Sequence, residues 1–112
     1  MRNQAAASAY RRSATYRSVR QQEAELFFAV NAGLRNARAA GPLALAKALA
    51  DNETLWITVM DVVRDPSNQL SAETRAAVLS VGHAARRQMA SSEPDLDFLA
   101  TINEHIAAGL AS

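Results

Sequence analysis

Few residues in this sequence have the types and spacing that catalysis demands. The two histidines, His83 and His105, stand 22 positions apart. Neither has a companion at ligand spacing, so both read as solvent-facing or locally bonded rather than metal-binding. There is no cysteine, which excludes disulfides, thiolate metal sites and a cysteine nucleophile. Asp95 and Asp97 are two apart and point to different sides of a helix, so they make no acid/base pair. Gly33, Gly41, Gly82 and Gly109 are isolated, and neither a phosphate loop nor a Gly-x-Ser-x-Gly elbow is present. The sequence implies no enzyme, no metal and no cofactor. It points to a binding protein.

The informative chemistry is polar residues placed inside apolar stripes. Asn52 projects about 20–40° from Leu45, Trp56, Val59 and Val63. Asn103 lies beside Leu99 and Leu110, and Glu23 between Val30 and Leu34, on their own helix faces. A buried amide without a partner costs a few kcal/mol and a bare carboxylate more, so each needs one. Two readings stand. The residues satisfy one another or nearby backbone, with Glu23 on Arg20, and so fix helix register. Alternatively they end a groove and clamp a bound helix. Trp56 divides the same way, between core anchor and interface hot spot. Phe28 is the converse, a large aromatic opposite the apolar stripe of its helix. Either an N-terminal arm bearing Tyr10 and Tyr16 covers it, or a partner does.

The elements that must position these residues are helices. Alanine supplies 25 of the 112 residues, and large apolar residues recur at three and four. A first helix is expected from after Ser18 to near Ala40, with Val19, Leu26, Phe27, Val30, Leu34 and Ala37 within about 100°. Gly41-Pro42 stops it and opens a second, to about Arg64, with Leu45, Leu49, Trp56, Val59, Met60 and Val63 on one face. Asp65-Pro66-Ser67-Asn68-Gln69 reads as a loop. A third helix runs from Ser71 or Ala72 to Ala90, its face Ala77, Val78, Val81, Ala85 and Met89, with Arg75, His83, Arg86 and Arg87 on the other side. A fourth runs from about Asp95 to Leu110 on Leu96, Leu99, Ile102, Ile106 and Leu110. The expectation is an all-α fold: a small bundle of about four amphipathic helices over 18–112, preceded by a short basic arm over 1–17. A short helix around Ala5–Arg12 suits that arm.

Length and charge bound the rest. One domain is expected, with an adequate but thin core. No apolar run is long enough to span a membrane, and the first residues lack a secretory core, so the cytoplasm is the expected compartment. The net charge of +1 hides a basic head and an acidic tail. Residues 1–22 carry Arg2, Arg11, Arg12, Arg17 and Arg20 and no acid; residues 93–112 carry four acids and no base. Head and tail can attract each other, or the head can meet a partner. Five arginines without a basic helix face or a stacking platform argue against RNA as a direct partner. Glu93, Asp95 and Asp97 suit the positive end of the fourth helix.

An ordered set of short motifs runs through the chain. Ala9-Tyr10 is followed by Arg20-x-x-Glu23, Phe27-x-x-Val30 and Leu34. Then come Ala48-Leu49-x-x-Asn52-x-x-Leu55-Trp56, Asn68-x-Leu70, Arg75-Ala76, Ile102-Asn103 and Gly109-Leu110. In this order and spacing the chain resembles the FlaF family, small flagellar biosynthesis regulators of alphaproteobacteria. It departs at Leu70-Ser71, where Leu-Pro is usual, and at Ser18-Val19-Arg20, where Ser-Pro-Arg is common. It also has Gly82-His83-Ala84-Ala85 where an aromatic is frequent. The resemblance implies a non-enzymatic protein that acts with a counterpart, FlbT, to set flagellin production. It implies a cytoplasmic chaperone of flagellin, whose termini fold only on polymerisation, that promotes flagellin synthesis and secretion. The alternative is a post-transcriptional regulator working through flagellin messenger RNA, or through FlbT without holding flagellin. Glu23, Asn52 and Asn103 fall on the family's motif positions; with Tyr10, Phe28 and Trp56 they are the candidate partner-binding residues.

Overall fold

The computed structural model describes residues 24–111, with side chains through 109. Tyr10, Tyr16, Glu23, the expected start of the first helix and the side chain of Leu110 lie outside the described residues. Within them the chain forms α1 over residues 24–40, α2 over Pro42–Arg64, α3 over Ala72–Met89 and α4 over Leu96–Ala111. The fold is all-α, as expected.

Each junction has a local cause. Gly41 takes φ 106°, a conformation that side chains with a β-carbon resist. Its N–H closes α1 on the carbonyl of Ala37 and its carbonyl opens α2 by accepting from Leu45. Pro42 occupies the first turn of α2, where a missing N–H costs nothing. Asp51-Asn52 leaves α2 unbroken. Ser71 caps α3, its hydroxyl accepting from the N–H of Thr74. Asp95 caps α4 in the same way, accepting from the N–H of Phe98 at 3.0 Å. Its own N–H donates to the side-chain oxygen of Gln88, which joins the end of α3 to the start of α4.

Arg75 lies off the apolar stripe of α3, as expected, and is half-buried against the loop before it. Its guanidinium turns back and donates to the carbonyls of Leu70, Val63, Asp65 and Asn68, and to the side-chain oxygen of Asn68. Asn68 in turn donates to the carbonyls of Val62 and Val63. Together the two side chains engage the last carbonyls of α2, where helical donors run out; that of Val62 also accepts from the Asp65 N–H. His83, Arg86 and Arg87 are exposed, as expected.

The core lies where the four helices meet. Leu34, Trp56, Val63 and Leu99 are its largest fully buried apolar side chains. Each such burial contributes about 1.5–3 kcal/mol. α3 packs on α2 where the backbone of Gly82 approaches the Trp56 ring and Met60; a β-carbon there would stand 3.2 Å from both. α4 lies along α1. Arg35 reaches Glu104 at 2.7 Å and Asp97 at 3.5 Å, and Arg38 donates to the carbonyl of Pro94. Those two acids of the tail thus share one arginine of α1, Arg35. None of the described helices is long and apolar enough to cross a membrane.

Two expected stripes shift. Leu26 and Ala77 are exposed, while Asn31, Ala48, Leu55, Gly82 and Ala100 are buried. A helix between two neighbours buries a wider arc than a single stripe, and each of these newly buried residues sits on a flank.

Candidate partner-binding site

At the bundle centre, buried amides link all four helices. The side-chain nitrogen of Asn103 on α4 donates to Asn31 on α1 at 2.9 Å and to Asn52 on α2 at 2.7 Å. Its oxygen accepts from the Trp56 indole N–H at 2.8 Å. Asn52 passes its own amide N–H to the sulfur of Met89 on α3, at 3.1 Å. Both donors of Asn103 and its acceptor are therefore engaged. Among the described residues no buried side-chain nitrogen or oxygen lacks a partner.

This arrangement places three of the candidate residues inside the bundle. Asn52 and Asn103 are 0% exposed and Trp56 1%. The asparagines satisfy each other, and Trp56 is a core anchor. Asn31 was not singled out from the sequence. It projects about 60° beyond Leu34, on the flank that faces α4, where a single-stripe reading does not look. Tyr10 and Glu23 fall outside the described residues. Phe28 is 77% exposed, on the side of α1 away from its core stripe.

The surface feature that the stripes do not disclose is a groove between α1 and α2, about 540 Å³ in volume. Leu26, Ala29, Gly33, Asn36 and Ala40 line it from α1; Ala44, Ala48, Asp51 and Leu55 line it from α2. Both series advance by alternating steps of three and four, which is the seam of a coiled coil. The signal in the sequence is the small residues at those steps. On the rim, Lys47 and Asp51 pair at 2.7 Å.

The charges around the bundle are local. The Arg35 guanidinium is held in its charged form chiefly by its hydrogen bond to Glu104 and then by the charge of that carboxylate. Among the described residues no group of three or more histidines, aspartates or glutamates is placed to hold a metal ion. The site offers apolar surface and helix-spaced contacts, which suits a polypeptide partner.

No curated protein and no solved structure matches the chain. A family model described as flagellar protein FlaF matches residues 6–110, from within the basic head to the last turn of α4. The chain belongs to the FlaF family of flagellar proteins.

Proposed function

We propose that this protein binds unassembled flagellin in the cytoplasm as a chaperone, without enzymatic activity, and thereby promotes flagellin synthesis and secretion. The reading is carried by the apolar groove between α1 and α2, on a chain of a flagellar family. A flagellin terminus that folds only on polymerisation is amphipathic and aggregation-prone until covered. A helical groove covers such a segment by helix-in-groove packing. Ordering the segment on binding costs free energy, so affinity per area is moderate, which suits a chaperone that must release its client.

Calorimetry of the purified protein with monomeric flagellin, at low and high salt, tests this. One-to-one binding that tolerates salt supports it. Absence of binding at both salts overturns it and turns attention to FlbT as the direct partner. Strongly salt-dependent RNA binding, lost on neutralising Arg11, Arg12, Arg17 and Arg20, would favour the messenger RNA route instead.

A further inference from the structure

We infer that Met89 is a reversible oxidation site: hydrogen peroxide converts its thioether to one sulfoxide epimer, and this releases α3 from the buried amide chain. The inference goes beyond the proposed function and does not depend on any client.

The amide chain reaches α3 at the sulfur of Met89, which accepts from the side-chain N–H of Asn52 at 3.1 Å. A thioether is a weak acceptor and, unlike the amides beside it, is open to mild oxidation.

Access separates Met89 from Met60. Met60 is 3% exposed and packs under the backbone of Gly82. Met89 is half-buried and is the last residue of α3. The residues that follow it, 90–93, are exposed. A small neutral oxidant therefore meets Met89 from that end of the bundle and does not meet Met60.

Geometry sets the product. One face of the sulfur carries the Asn52 N–H, and at 3.1 Å the donor leaves no room for an oxygen between them. Oxygen is delivered to the opposite face. A sulfur lone pair attacks peroxide, the O–O bond breaks, sulfur keeps one oxygen, and the other leaves as water with both protons. Sulfur is oxidised and peroxide is reduced. The side chain becomes polar and its sulfur electron-poor, so the buried N–H of Asn52 loses its acceptor. Because sulfoxide reductases each take one epimer, a single enzyme reverses the step.

The full chain treated with hydrogen peroxide tests this, with peptide mass mapping to separate the methionines. Met89 should oxidise about tenfold faster than Met60. The Tm should fall by about 4 °C or more, and the side-chain amide resonances of Asn52 should move. Met89→Leu should start less stable and show no further fall with peroxide. One of the two epimer-specific reductases, and not the other, should restore both mass and Tm. That reversal is read on the wild type, so it decides even if Met89→Leu does not fold. Equal oxidation of Met60, a mixture of both epimers, or oxidised Met89 with an unchanged Tm would each overturn the inference.

Discussion

The side-chain nitrogen of Asn103 donates to the side-chain oxygen of Asn52 across 2.7 Å, with neither residue exposed to solvent. Replacing Asn103 by leucine would leave the Trp56 N–H and the oxygens of Asn31 and Asn52 without that partner. Each unsatisfied buried group costs about 1–3 kcal/mol. Asn103→Leu should therefore lose about 3–5 kcal/mol in urea unfolding. Asn52→Leu/Asn103→Leu should lose less than the sum of the single changes, because the two residues are each other's partners. An Asn103→Leu loss under about 1 kcal/mol would contradict the network's role.

Two helical glycines should respond to alanine with opposite signs. At Gly82 the new β-carbon meets the Trp56 ring at 3.2 Å, and that ring is locked in the core. Overpacking of this kind costs about 1–3 kcal/mol, more than the gain of about 1 kcal/mol in helix propensity. At Gly33 the β-carbon stands 3.9 Å from that of Ala48, an ordinary contact. Gly33→Ala should gain about 0.5–1 kcal/mol. Thermal unfolding of the pair gives the comparison, and a stabilised Gly82→Ala would show that the α2–α3 contact is looser than described.

Acid should weaken the α2–α3 loop through Asp65. The backbone N–H of Ser67 holds its carboxyl below the ordinary value of 3.8, helped by the Ser67 hydroxyl and the charge of Arg75. A carboxyl lowered in the folded state stabilises while it is ionised. That contribution is present above the unfolded carboxylate range and fades as pH falls through the lower folded value. Asp65→Asn keeps an accepting oxygen and removes the charge. Its urea midpoint should lie below that of the wild type at pH 7, and the two should converge in acid. A gap that widened on acidification would have the wrong sign for this account.

Much of the architecture was legible because punctuation coincided with periodicity. Gly41-Pro42 and Asp65-Pro66 bracket α2, and Ser71 caps α3, so these bounds agree closely with the sequence reading. Asn52 and Asn103 stood out because each interrupts an apolar stripe on its own helix. Asn31 did not, since its partner approaches from a flank and only the packing of α4 defines that flank. The contacts of Arg75 were hidden for a related reason. Its position on the helix is polar, but its reach lets the guanidinium find carbonyls on the preceding loop. The groove escaped because a seam of alanine and glycine carries little hydropathy signal. It is defined by the side chains that are missing from it.

Phe28 separates stability from binding. It is 77% exposed, so Phe28→Ser should shift Tm by no more than a few degrees. If the aromatic meets flagellin, the same change should weaken binding tenfold or more, about 1.4 kcal/mol, in calorimetry. Unchanged affinity would remove Phe28 from the interface.

Trp56 is the sole tryptophan, and its indole N–H is committed to Asn103 of α4 while its ring lies under Gly82 of α3. The molecule thus has an intrinsic reporter at its centre. A single indole proton resonance, well dispersed and slow to exchange with deuterium, marks the assembled state of all four helices. Separation of α4 from α2 alone would free that proton, and separation of α3 would change the ring's surroundings and its fluorescence. One nucleus and one chromophore can therefore follow, without any label, whether engaging a client leaves the bundle closed or pries it open.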